Sequence, residues 1–308
     1  MSRVFPKTKA AVREGRFQRW LSVIAGISAV LSGIEVAYEH YKGSYSREVM
    51  YTPVALSGAM TVAGVAGFAS KKAAVTLLRY TSLITLIDGV LGFYFHSRGI
   101  ERKPGGWRLP LTNIVMGPPI CGPLLFGVGA YLGLIASFLR RGDDGEASLI
   151  PVPANERHLI ARVGWPYESI TWEQDLREGR FQKHMAAATA MAAFLSGFEA
   201  WYSHYKNNFR YKAQWTPVIL APALMAAALA SMKSRRAAHT WLPAAAALAM
   251  VDGGVGCFYH ARGILRRPGG LNKPFYNLIY GPPLFAPLLF AACGFLGMLA
   301  SLLGREPR

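Results

Sequence analysis

The sequence predicts an all-α integral membrane protein of eight transmembrane helices, laid out as a tandem duplication of a four-helix unit with parallel repeats. Composition, recurrent apolar stretches and self-similarity at one offset predict it. The 308 residues are 52% hydrophobic and only 17% charged, with positive mean hydropathy, which is too apolar for a soluble domain of this length. A bilayer core of about 30 Å needs about 20 helical residues, with roughly 17 tolerated. Eight stretches meet that length: Trp20 to Glu39, Pro53 to Ala69, Leu78 to His96, Val115 to Leu139, His184 to Ser203, Pro217 to Met232, Ala237 to His260 and Ile279 to Leu303. The chain also repeats itself. "REGRFQ" at Arg13 recurs at Arg177, and the same offset of 164 aligns "TPV" at Thr52 with Thr216 and "SKKA" at Ser70 with "SRRA" at Ser234. It also aligns "RGI.RKPGG" at Arg98 with "RGI.RRPGG" at Arg262, "GPP" at Gly117 with Gly281, and "PLLF" at Pro123 with Pro287. Repeats of this kind are the first thing that organises a fold.

In chain order, residues 1–12 form a basic cytoplasmic leader. The first apolar stretch follows it without a small-x-small cleavage site, and a matching stretch returns in mid-chain, so it stays in the mature protein. The first repeat occupies 13–139. In both copies Thr-Pro opens the second span as a cap followed by proline at the first helical position. The Pro-Gly-Gly and Gly-Pro-Pro elements bracket the loop before the fourth span, where a helix cannot continue. Residues 140–176 are a polar cytoplasmic linker with "RRGDDGE", "PVPANER" and one surface helix near "ESITWEQDL". The second repeat occupies 177–308. An even span count makes both copies enter the bilayer in the same direction, as in parallel-repeat transporters.

The net charge of +17 does not mark a nucleic-acid protein, because the basic residues lie in short segments between apolar runs and form no continuous binding element. Of the 34 Lys and Arg, 21 fall on the side of the termini and linker and 13 in the opposite loops. The positive-inside rule therefore places both termini in the cytoplasm of an inner membrane, with the Arg98 to Leu109 and Arg262 to Lys273 loops outside. The three cysteines, Cys121, Cys257 and Cys293, lie in apolar spans and read as small hydrophobes.

Two decapeptides, "GIEVAYEHYK" (33–42) and "GFEAWYSHYK" (197–206), place a carboxylate and a histidine where an apolar run ends. Of seven histidines, only His40 with His204 and His96 with His260 occur in both copies; Glu35 with Glu199 and Asp88 with Asp252 are the matched acids inside spans. Ionisable residues at such depth are costly and point to function. Both histidines of a copy emerge at the outer rim, with the Glu about 7.5 Å and the Asp about 12 Å deeper at helical rise. Asp88, Gly92 and His96 form one stripe at i, i+4, i+8, with Gly92 leaving space between the polar groups; Asp252, Gly256 and His260 repeat it. Glu35 is rotated from His40 by about 140° on a regular helix, so the two do not share a ligand there.

Four readings follow. In the first, His40 and His96, and likewise His204 and His260, are axial ligands of haem b, with Gly33, Gly92, Gly197 and Gly256 accepting the ring and Arg98, Arg102, Arg262 and Arg266 pairing with propionates. The second is a transition-metal site for iron, zinc or manganese, drawing on His40, His96, Asp88 and Glu35 in one copy and His204, His260, Asp252 and Glu199 in the other. No HExxH or ExxH spacing accompanies it, and a His-His-Asp subset fits the depths better. Either group would make the chain an anchor or electron-transfer subunit, with the lipid bilayer and other subunits of a membrane redox complex as partners. The third is a proton- or ion-coupled transporter using the Glu and Asp pairs as relays, with Pro118, Pro119 and Pro123 breaking the fourth span. The fourth is a structural membrane subunit with no cofactor, whose polar groups only bridge helices, and with Tyr38 and Tyr202 in an aromatic belt.

Overall fold

The computed structural model describes residues 16–138 and 180–302; the leader, the 140–176 linker with its "ESITWEQDL" segment and the last residues lie outside that range. Helices joined by turns make up the described chain, and no strand occurs among the described residues. In order they are α1 (Arg16–Lys42), α2 (Thr52–Ala69), α3 (Lys71–Glu101), α4 (Pro110–Val115), α5 (Gly122–Phe138), α6 (Arg180–Tyr205), α7 (Thr216–Lys233), α8 (Arg235–Leu265), α9 (Pro274–Ile279) and α10 (Ala286–Leu302).

Five helical segments are long and apolar enough to cross a membrane by length and composition: Arg19–Lys42, Glu48–Ala69, Lys71–Glu101, Lys212–Lys233 and Arg235–Leu265. A spanning segment has to pair every backbone polar group internally, which a helix does and an open coil does not. Helix α6 is 26 residues long, ample for crossing at 1.5 Å per residue, but its alanine-rich run also holds Glu199, Trp201 and Tyr202 and is less apolar. Helices α5 and α10 have 17 residues each. Both start later than the apolar pattern suggests. The stretch expected to run unbroken from Val115 instead ends the short α4 there, passes through Gly117-Pro118-Pro119, and restarts at Gly122. Proline removes the amide a continuing helix needs. The same happens between Ile279 and Ala286.

The turn chemistry is local and legible. Ser70 sits between α2 and α3 with extended backbone (φ −136°, ψ 131°), which ends one helix, while its hydroxyl accepts from the Ala73 N–H at 3.4 Å and opens the next. Ser234 does the same toward Ala237 at 3.3 Å, which accounts for the recurrent Ser-basic-basic-Ala motif through capping. The two copies then differ. Helix α3 passes through a π-helical turn at Ala74–Leu78, whereas α8 breaks at Thr240 (φ −126°, ψ −65°).

Four long helices of each half form a ring. Helix α1 packs on α2 and α5, and α3 packs on α2 and α5; likewise α6 and α8 each pack on α7 and α10. Helices α1 and α3 are therefore diagonal, as are α6 and α8. The halves meet through α1, α5, α6 and α10, and one apolar core, including Leu21, Met60, Leu132, Leu224 and Leu296, runs through both. On the outer faces of α3 and α8, Ile84, Ile87, Leu248 and Val251 are more than half exposed, a disposition suited to hydrocarbon rather than water.

For helices in lipid the hydrophobic drive between them is small, and close backbone approach carries the packing. At the α1–α2 crossing, a Cβ on Gly64 would lie 2.6 Å from the Ser22 carbonyl oxygen and 2.9 Å from Gly26 Cα. Gly64→Val is expected to push these helices apart and cost about 1–3 kcal/mol. Gly58→Ala, at a site with nothing within 4 Å, is the control. Thermal unfolding in detergent checks the pair; equal midpoints would show that the crossing does not depend on Gly64.

Candidate functional site

At the end of α1 the chain turns through Ser44 and Tyr45, both at positive φ (57° and 44°). That region is costly for residues other than glycine. The Tyr45 N–H donates to the His40 carbonyl at 3.1 Å, its hydroxyl donates to the Ala37 carbonyl at 2.9 Å, and its ring stacks on Tyr51 at 4.2 Å. These contacts offset the strain and fold the loop back over the helix end. Met50 is thereby brought to His40, whose Nδ1 donates to the Met50 carbonyl at 2.7 Å. The second half builds the same turn at Asn208 and Phe209 (φ 52° and 47°), with Phe209 stacked on Trp215 at 3.9 Å.

The Gly-Pro-Pro breaks supply the other anchors. His96 Nδ1 donates to the Pro119 carbonyl at 2.7 Å, and His260 Nδ1 donates to the Pro283 carbonyl. A carbonyl only accepts, so Nδ1 carries a proton in His40, His96 and His260, and Nε2 is the ring atom left to bind a ligand when the imidazole is neutral. Within the second half the His204 and His260 rings stand 6.4 Å apart with planes at 88°. In the first half both His96 and Asp88 lie within electrostatic reach of His40. Asp88 accepts from the Thr52 hydroxyl at 2.6 Å, and Asp252 is bonded to Thr216. Thr52 is the first residue of α2 and Tyr51 holds the cap position. The threonine expected to cap its own helix thus tethers an acid on another.

Several expected roles change once the packing is known. The space over Gly92 is not empty: a Cβ there would lie 2.8 Å from Pro123 Cβ, and one on Gly256 would lie 2.9 Å from Pro287 Cβ. Gly33 faces Ser57 and Gly197 faces Ala221. All four glycines are helix contacts rather than surfaces for a flat ring. Arg98 is paired with Glu101 at 2.6 Å on the surface, and Arg102, Arg262 and Arg266 are exposed at the ends of α3 and α8.

The largest correction concerns the glutamates. Glu35 Oε2 accepts from the Phe285 N–H at 2.7 Å, at the start of α10 in the other half. Glu199 Oε2 accepts from the Cys121 N–H at 3.0 Å, at the start of α5 in the first half. Each carboxylate is clasped by a tyrosine of its own helix: Tyr38 beside Glu35, and Tyr202 donating to Glu199. Tyr38 in turn accepts from the Leu284 N–H at 3.1 Å. Neither tyrosine belongs to an exposed belt; their relative exposures are 6% and 1%. Glu35 and Glu199 thus face the seam between halves, as the rotation of Glu35 away from His40 requires, and not the histidine rim where a shared metal set would need them.

Sequence reasoning missed Asn113 and Asn277. Asn113 Nδ2 donates to the Pro104 and Gly106 carbonyls at 3.1 and 2.7 Å, and Asn277 Nδ2 reaches Pro268 and Gly270 at 3.4 and 2.9 Å. They hold the loops that follow α3 and α8, where Gly105 and Gly106 turn at φ 81° and 47°. Their signal was available: an asparagine stands seven residues beyond each Pro-Gly-Gly. Among the described residues no group of three or more His, Cys, Asp and Glu is placed to hold a metal ion. No family model matches the chain, and no curated protein or solved structure matches it either.

The reciprocal caps make a testable claim. Glu35→Ala and Glu199→Ala each leave a buried N–H without its acceptor, for an expected loss of about 1–3 kcal/mol. Glu35→Gln keeps an acceptor and is expected to lose less. Unfolding midpoints in detergent separate these, and identical values for Glu35→Ala and Glu35→Gln would remove the capping role.

Proposed function

We propose that the chain is an integral protein of an inner membrane with eight crossing helices in two parallel four-helix units, 13–139 and 177–308, and that each unit binds a transition metal or haem iron at its outer end. His40 with His96, and His204 with His260, supply the Nε2 ligands. The carrying observation is the tie of Nδ1 to a backbone carbonyl in His40, His96 and His260. Metal-ligating imidazoles almost always make this bond, which fixes the tautomer and aims the other nitrogen.

The spacing supports the reading. The His204 and His260 rings stand 6.4 Å apart, near enough that both Nε2 atoms would reach a single ion at metal–nitrogen distances of about 2.0–2.1 Å. Ligands from the diagonal helices α1 and α3, or α6 and α8, approach from opposite walls of their ring of helices. Two protein ligands suffice for haem, whose macrocycle supplies the other four nitrogens. A bare iron, zinc or manganese ion would complete its shell with water. Asp88 and Asp252, each held by a threonine, sit beneath as acceptors and balance the charge. Such a centre suits an anchor or electron-transfer subunit of a membrane redox complex.

Optical spectroscopy and metal analysis of protein purified from membranes test this. Two centres per chain are expected, and His96→Ala and His260→Ala should each remove one, halving the haem Soret band or the metal content; colourless, metal-free protein would overturn the reading. Orientation has its own check. In a background with Cys121, Cys257 and Cys293 replaced by alanine, Trp107→Cys should react with an impermeant thiol reagent from outside and Gly142→Cys should not. The reverse pattern would invert the topology.

A further inference from the structure

A partly open cavity of about 40 Å³ lies in the seam between the halves, lined by Ser28, Ser32 and Glu35 of α1, Val128 and Gly129 of α5, and Leu288 and Ala292 of α10 among others. Ser28, Ser32 and Glu35 follow one another at i, i+4 and i+7, on one face of α1. A cavity this size holds at least one water, which needs two to four polar partners, and the two hydroxyls and the carboxyl supply three.

The matching positions 164 residues on are built differently. Ala192 stands for Ser28 and Cys293 for Gly129. Cys293 carries a side chain where Gly129 has none: it is fully buried, donates to the Leu289 carbonyl at 3.2 Å and is bonded to Ser196, the counterpart of Ser32. Glu199 has Tyr202 and the Cys121 amide for partners; Glu35 has Tyr38 and the Phe285 amide and also lines the polar hollow with Ser28 and Ser32.

We propose that Glu35 and this cavity form a hydrated proton-binding site in the seam, while Glu199 is a dry structural cap. A proton passes between a Glu35 carboxyl oxygen and a cavity water, and nothing else is consumed. The titratable groups around Glu35 are Tyr38, Glu39 and Lys42 of α1 and Cys257 of α8; the cavity walls from α5 and α10 are apolar. The site is separate from the histidine pairs and does not depend on their occupant.

Infrared hydrogen–deuterium exchange on the whole protein tests it, following the carbonyl band of protonated carboxyls assigned with Glu35→Gln and Glu199→Gln. The Glu35 band is expected to shift in D₂O about tenfold or more faster than the Glu199 band, as solvent access governs exchange. Ser28→Ala with Gly129→Cys, which rebuilds the second half's interior in the first, should slow Glu35 to the Glu199 rate. Ala192→Ser with Cys293→Gly, which only removes bulk or adds a hydroxyl, should speed Glu199 and decides the matter where the first pair fails to fold. Equal rates in the unaltered protein, no protonated Glu35 band at any pH where the protein is folded, or rates unmoved by the exchange of residues would each overturn the proposal.

Discussion

A helix that begins inside an apolar layer exposes backbone amides that water cannot reach, and the whole arrangement rests on how α5 and α10 solve that problem. Each takes a carboxylate from the opposite half: Glu199 on the Cys121 N–H and Glu35 on the Phe285 N–H. A negative group at a helix start is favoured both by the unpaired amides and by the helix dipole, and among mostly apolar neighbours the bond is strong and costly to lose. Because the acceptor comes from the other half, neither set of four helices is complete alone. These caps offset part of the cost of the Gly-Pro-Pro breaks. Those same breaks free the Pro119 and Pro283 carbonyls that orient His96 and His260, so the placement of these histidines depends on the seam.

Much of the fold was legible because its determinants are local. Apolar length marks the helices, and the offset of 164 between matching motifs can be counted along the chain. The helix starts at Gly122 and Ala286 were misplaced because an apolar stretch reads alike whether the chain runs straight or turns through two prolines. Of the matched residues, Glu35, Glu199, Asp88, His96 and His260 make side-chain bonds to distant parts of the chain. What those bonds join was not legible. Helical rotation separates Glu35 from His40, but nothing along the chain says that its partner lies 250 residues away. Gly92 looked like a vacancy because a missing side chain cannot announce that Pro123 fills the space. The positive-φ turns at Tyr45 and Phe209 were hidden because strain at bulky residues depends on stacking partners, Tyr51 and Trp215, that become neighbours only after folding.

The seam contacts have a further property. Residue 35 meets 285 and residue 199 meets 121; subtracting 164 from the members of the second half turns both into one pairing, made once in each direction. That is the signature of an isologous interface, the kind formed by two identical subunits about a two-fold axis. The chain thus has the contact logic of a homodimer whose protomers share one backbone. A covalent tether raises the effective concentration of the two faces, so the seam no longer has to be strong enough to assemble from separate pieces. It also releases the faces from being identical. In a true homodimer any hollow beside one glutamate would be duplicated beside the other, whereas here the matching positions hold Gly129 and Cys293, and the two sides of the seam are free to differ.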